Sequence, residues 1–292
     1  MTRISPLDPA AIPALQALSD ELSGGRSAMD LRAALTDGAR GGGSQAAVAW
    51  QGDRPVGCVG WVALGIEEDG RLYGSPLVAQ DAGVARRLID LLDGVGRELR
   101  ATHLRVSKWE GEAGKAKALA DAGFVRLFEW VTFSREPGAQ DAPPAAFPPH
   151  GLHAVPPDRI DWERAAQLYA DCFREVPNAP CVGTDILAAE WRGADWVSSR
   201  LLQDAQGRYV AFLIVQAEGQ VEAIGVDAAW RGRGLADALY RHALSSLALQ
   251  HVPRMTALVA SSNAASMRLH QRLGFGESQP RGAVWERELP LA

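Results

Sequence analysis

Displaced by 151 residues, the chain falls on itself. Gln80-Asp81-Ala82-Gly83-Val84-Ala85 lands on Arg231-Gly232-Arg233-Gly234-Leu235-Ala236, and Gly123-Phe124 lands on Gly274-Phe275. From glycine to glycine, 83 to 123 and 234 to 274, the spacing is 40 in both copies. Ile4-Ser5-Pro6 lands on Val155-Pro156-Pro157, and Gln16 on Gln167 within two helical patterns. Separated landmarks with one period indicate a duplication, which fixes how many cores the chain must build. Residues 137–150 carry five prolines (137, 143, 144, 148 and 149) and no periodicity, and read as a stiff, solvated Pro/Ala-rich linker. The expected domains are therefore 1–136 and 151–292, each about 140 residues and large enough for one core.

Each copy reads as helix-rich at its start, then paired strands, then β-α-β-α-β. In the first copy 45–51 and 55–64 read as strands around Gly52-Asp53-Arg54; in the second, 208–217 and 220–226 do so around Glu218-Gly219. Leu235–Leu249 is an amphipathic helix, Met255–Ala260 a short buried strand, and Asn263 and Gly274 fit the N-cap and C′ positions of a short helix. The turn at Arg231–Ala236 opens a helix. Backbone N–H groups without partners converge there, and the helix dipole adds positive potential. Such a turn suits a phosphate or pyrophosphate. Gly232 and Gly234 leave room for close approach, while Arg231 and Arg233 add charge. Neither a Gly-Lys-Ser/Thr loop nor a G-x-G-x-x-G followed by a suitably spaced acid is present.

The order strand, R-x-x-G-x-A, helix, strand, N-x-x-S-x-x-x-H-x-x-L-G-F resembles the GCN5-related N-acetyltransferase (GNAT) family. The resemblance implies an α/β fold, here two tandem copies, each a mixed, mostly antiparallel sheet flanked by helices. It implies acetyl-CoA as co-substrate and no metal. The pyrophosphate would lie on the first turn, and the second helix beside the thioester. The cofactor-binding residues are then Ile224, Gly225, Val226, Arg231, Gly232, Arg233, Gly234, Leu235, Ala236, Asn263 and Ser266.

Acetyl transfer to an amine needs a base, because an ammonium has no lone pair, and an acid near the sulfur helps the thiolate leave. Family members often place the base on the strand before the turn, where Glu222 stands, and a tyrosine where this chain has His270. Residues 222, 224 and 226 share a face if the strand is regular. Bland alternatives stand beside these roles: a solvent-facing Glu222, a space-filling His270, and an Asn263 that only caps its helix. Gln220 could position a water.

The copies differ where chemistry should sit. Asn263 and His270 correspond to Glu112 and Leu119, the turn arginines to Gln80 and Ala82, and Asp81 brings negative charge near the phosphate position. The first copy therefore reads as degenerate and the second as catalytic. On the family pattern the acceptor side is Phe173–Val197, whose Glu175, Asp185, Glu190, Asp195, Trp191 and Trp196 would suit a cationic amine.

Composition narrows the classes. With 30 Lys+Arg against 35 Asp+Glu and no basic run, nucleic acid is a poor partner. The longest apolar run is about seven residues, far below a membrane span, and Met1–Pro13 lacks a signal-peptide core. Cys58, Cys172 and Cys181 form no C-x-x-C and suit a reducing cytoplasm. The six histidines make no i, i+4 pair. Trp50, Trp61 and Trp130 lie in strand patterns and read as core. The expected function is acetyl-CoA-dependent N-acetyl transfer to a primary amine of a small molecule or peptide. The chain is expected to be a monomer, because a tandem repeat mimics a dimer. The rival class is a non-catalytic acyl-CoA sensor.

Overall fold

The computed structural model describes all residues except 1, 25–29, 64, 109–111, 142–146, 150, 175, 177–182, 279–280 and 291–292. In chain order its elements are β1 (Thr2–Pro6), α1 (Ile12–Leu22), α2 (Leu31–Thr36), β2 (Ala46–Gln51), β3 (Arg54–Val62), α3 (Ile66–Asp69), β4 (Arg71–Ala79), α4 (Ala82–Glu98), β5 (His103–Lys108), α5 (Ala113–Asp121) and β6 (Val125–Arg135). There follow β7 (Leu152–Ala154), α6 (Trp162–Phe173), α7 (Thr184–Gly193), β8 (Arg200–Asp204), β9 (Tyr209–Val215), β10 (Gln220–Val226), α8 (Leu235–Leu249), β11 (Met255–Ala260), α9 (Ala264–Arg272), β12 (Gly276–Glu277) and β13 (Gly282–Glu288).

Two compact units result, 1–130 with 280–292, and 131–279. The first holds the sheet β1-β2-β3-β4-β5-β13-β6, antiparallel except for the β4–β5 pair. The second holds β11-β10-β9-β8-β7, antiparallel except for β10–β11. Both are mixed, mostly antiparallel sheets flanked by helices.

These units divide the chain elsewhere than the linker-based reading of 1–136 and 151–292. Prolines mark where the chain cannot form regular structure, whereas compactness follows strand pairing. The last strand, β13, pairs with β5 and β6, so Trp285 and Leu289 pack in the first unit's core. Val131 and Phe133, from the far end of β6, pack in the second unit's core. Part of the linker, residues 142–146 and 150, lies outside the described residues.

Each copy also begins with a strand, β1 or β7, where the sequence read as helical. A strand's stability comes from its partner, here β2 and β8, and five- or three-residue strands carry little periodicity of their own. β8 was missed for the same reason. Trp50, Trp61 and Trp130 are half-buried rather than core; Trp50 turns its Nε1 to donate to Ser5 Oγ at 3.0 Å.

The helices after the two turns are cut to one pattern. Buried positions on α4 are Val84, Ala85, Leu88, Ile89, Leu92 and Gly96; on α8 they include Leu235, Leu239, Tyr240, Ala243, Leu244 and Leu247. Spacings of one, three and four residues put each set on a single face. That face packs on the sheet and aims the helix N-terminus at the end of the preceding strand.

Candidate active site

The second unit carries the turn predicted from the sequence. β10 ends at Val226, Asp227 accepts from Ala229 N at 2.8 Å, and α8 begins at Leu235. Gly232 and Gly234 have φ of +73° and +76°, values costly for a side-chain-bearing residue, and a Cβ at either would meet nothing within 4 Å. Gly234 is the N-cap and has no side chain to satisfy the first-turn N–H groups. The result is an open, positive helix end. The exposed Arg231 and Arg233 are tethered beside it, through Arg231 Nε to Val226 O and Arg233 Nη2 to Ala229 O, both 3.2 Å. Arg233 also stacks over Trp230 at 4.7 Å. Leu235 is buried in the core, and Ala236 is half-buried next to it.

β10 leads away from this turn and parts from its neighbour. It pairs with β11 only at Gln220 and Val221, whereas its pairing with β9 continues to Val226. Between Val221 and Ala223 the β9 register slips, so Glu222 is the extra residue of a β-bulge. The bulge overturns the expected common face of 222, 224 and 226. Ile224 and Val226 pack with Val221 against the α8 cluster, while Ala223 packs in the α6–α7 cluster. Glu222 is turned to that second side, where its charge acts on Tyr169 of α6 and Glu190 of α7. Gly225 has a packing reason to be glycine: a Cβ there would come within 2.4 Å of Phe212 and 2.9 Å of Cys172.

Asn263 caps α9, its side chain accepting from Ser266 N at 3.1 Å; Gly274, with φ +80°, ends it. Ser266 is half-buried at the first turn. His270 is 1% exposed. Its Nδ1 donates to Ser266 O at 2.8 Å, and its Nε2 accepts from Tyr240 O–H at 2.7 Å. Phe133 stacks on the ring at 5.2 Å, with Phe275 edge-on. Burial holds its pKa below the usual imidazole range. A proton donor to a thiolate needs a free N–H facing the cleft, and this ring has both nitrogens engaged in the core.

Of the acceptor-side residues, Glu175 lies outside the described residues. Trp191 is core and stacks on Trp196. Asp195 closes a turn by accepting from Val197 N, Ser198 N and Gln250 Nε2. Asp185 sits in the first turn of α7. Glu190 on α7 feels the charge of the bulge residue Glu222. Burial, then the charge of Glu222, pushes its pKa up to about 7. Glu222 is also pushed up, chiefly by desolvation, although its tip is exposed and Gln220 Nε2 donates to it at 2.9 Å. Tyr169, Tyr240 and the bulge itself were not legible as site features in the sequence. Among the described residues no cluster suited to a metal ion is found, and no helix is long and apolar enough to cross a membrane.

An open helix N-terminus at a glycine turn, with a second capped helix after the next strand, is what the sequence resemblance implies. Residues 162–275, all within the second unit, match the acetyltransferase (GNAT) family model. That stretch of the chain is similar to the GNAT acetyltransferases. Over 162 residues the chain is 29% identical to a mycothiol acetyltransferase of Mycobacteroides abscessus, a match spanning 54% of this chain and 50% of that protein. A GCN5-related N-acetyltransferase from Sphaerobacter thermophilus superposes with a TM-score of 0.72 at 17% identity, covering 100% of this chain and 97% of that one. A tandem GNAT protein from the clavulanic acid biosynthesis pathway superposes at 0.67, with 17% identity and 100% of both chains covered. The likeness of fold therefore extends over both units.

Proposed function

We propose that the second unit binds acetyl-CoA and transfers its acetyl group to a primary amine of a small molecule. The observation that carries this reading is the open N-terminus of α8 at Gly234, next to the gap where β10 leaves β11. The pyrophosphate is held by the N–H groups of the Gly232–Ala236 turn, with Arg231 and Arg233 beside it. The backbone groups of Ile224–Val226 that β11 leaves unpaired line the arm leading back towards Glu222, about 13 Å along the strand at roughly 3.3 Å per residue. Asn263 and Ser266 flank the same gap from α9.

The amine must shed a proton before its lone pair can attack, and the carboxylate side of the bulge is where that proton goes. His270 is assigned a different task from the one its sequence position suggests. Bonded to Tyr240 and stacked on Phe133, it holds α9 against α8 and the core. The first unit is assigned a structural role, its helix end being filled by Asp81. The reading is tested by CoA release from acetyl-CoA over a panel of alkyl amines, amino sugars and amino acids. Release that depends on an amine supports transfer; tight acetyl-CoA binding without release for any amine supports the sensor.

A further inference from the structure

Tyr169 is 6% exposed, and among the described residues its hydroxyl makes no hydrogen bond. Its ring is fixed by stacking on Phe173 at 4.5 Å and Phe212 at 5.7 Å. Burial raises its pKa, with the charges of Glu190 and Glu222 adding to that, so it stays a phenol. Neither carboxylate is paired with a described Lys, Arg or His. The three groups come from three elements, α6, α7 and the β10 bulge. Those elements meet in one cluster, where Tyr169 packs with Leu187 and Trp191 of α7 and with Ala223 of β10.

We propose that Tyr169, Glu190 and Glu222 form the acceptor pocket for a cationic primary amine with no carboxylate beside it, and that Glu190 is its general base. This rests on the acetyltransferase reading above. Burial, and then the charge of Glu222, delays the ionisation of Glu190 towards neutrality. The amine enters as an ammonium, donating to Glu222 and to the Tyr169 oxygen. Glu190 accepts one N–H proton, and the freed lone pair forms the C–N bond at the thioester carbonyl carbon. As the C–S bond breaks, its electron pair goes to sulfur. The sulfur ends protonated by the second proton that nitrogen sheds on becoming an amide, and the proton on Glu190 returns to water. A carboxylate next to the amine would meet two acids and no basic side chain, so α-amino acids are excluded by repulsion.

Steady-state kinetics over pH 5.5–9 on the full chain, using the best amine of the panel, tests this. Glu190→Gln is expected to lower kcat/KM by roughly 10²–10⁴ and to erase the acid limb near pH 7, with acetyl-CoA affinity unchanged. Tyr169→Phe is expected to raise the amine KM about tenfold with a smaller change in kcat. Retained acetyl-CoA binding shows that each variant is folded. A Glu190→Gln variant with near wild-type kcat/KM and an intact acid limb would overturn the proposal, as would α-amino acids being the preferred acceptors. If wild-type protein acetylates no amine at all, it is the underlying acetyltransferase reading that fails.

Discussion

In the first unit α4 begins behind Asp81, whose carboxylate accepts from Val84 N at 2.9 Å; in the second, α8 begins behind Gly234 and nothing caps it. By the repeat, Asp81 stands where Gly232 stands. The same helix end is thus filled by the chain's own anion in one copy and left open in the other. The difference continues into the strand gap. β4 pairs with β5 up to Gly74 and then runs on to Ala79, so this pair also parts. There Lys115, equivalent to Ser266, buries its ammonium and donates to Leu77 O at 2.7 Å, with Glu112 at 2.8 Å as its ion partner. Gly114 lies so close to Asp81 and Ala82 that a Cβ would sit 3.3 Å from Ala82 N. α5 therefore closes over the turn. Behind it, Ile89 and Leu119 replace the hydrogen-bonded Tyr240 and His270 with two apolar side chains. The difference teaches how side chains of the chain itself can fill one copy of a duplicated cleft and leave the other open.

The strongest way to break this comparison is to move the filling residue. Gly232→Asp places the first unit's carboxylate at the second unit's helix end. Acetyl-CoA affinity by calorimetry should fall roughly a hundredfold, about 2.8 kcal/mol. The reciprocal Asp81→Gly should create no second binding site, because Lys115 still occupies the gap. A new site in that variant would show that Asp81 alone closes the first unit.

A smaller effect is expected from the core pair. Tyr240→Phe leaves the buried Nε2 of His270 without its donor, and denaturant unfolding should show a loss of about 2 kcal/mol. Changing both, to the Ile and Leu found in the first copy, should cost less than the single change, since two apolar partners leave nothing unsatisfied. A double variant worse than Tyr240→Phe would mean that packing, not hydrogen bonding, governs this pair.

How much of this was legible depends on the range of the interactions concerned. α8, β11 and α9 could be placed from the sequence because their signals are local: a glycine turn, an asparagine cap, an apolar stripe. The bulge could not, because Gln220-Val221-Glu222-Ala223 alternates as a regular strand does and the slip appears only against β9. β13 joins the first unit through partners more than 150 residues away, which no local pattern encodes. Asp81 was readable as a charge near the phosphate position; that it caps its own helix was not. His270 could be read by position as reactive or as space-filling, and Lys115 carried no local signal at all. Both side chains are buried.

The smallest effect is on acid stability. Burial and the nearby Arg200 push the His242 pKa down to about 4, and burial lowers that of His270. The unfolded chain therefore takes up these protons first. The stability held by neutral rings is whole above about pH 6.5 and falls as pH drops, with the His242 share gone below about 4. His242→Gln, which can still donate to Val197 O, should make that fall shallower. An unchanged slope would assign acid sensitivity to other groups.

The central claim, one acetyl-CoA site located at the α8 turn, is tested most directly by calorimetric titration of the wild type, Gly234→Glu and Gly83→Glu. The expected result is one site per chain, kept in Gly83→Glu and lost in folded Gly234→Glu. Two sites in the wild type, or unchanged binding in Gly234→Glu, would contradict it.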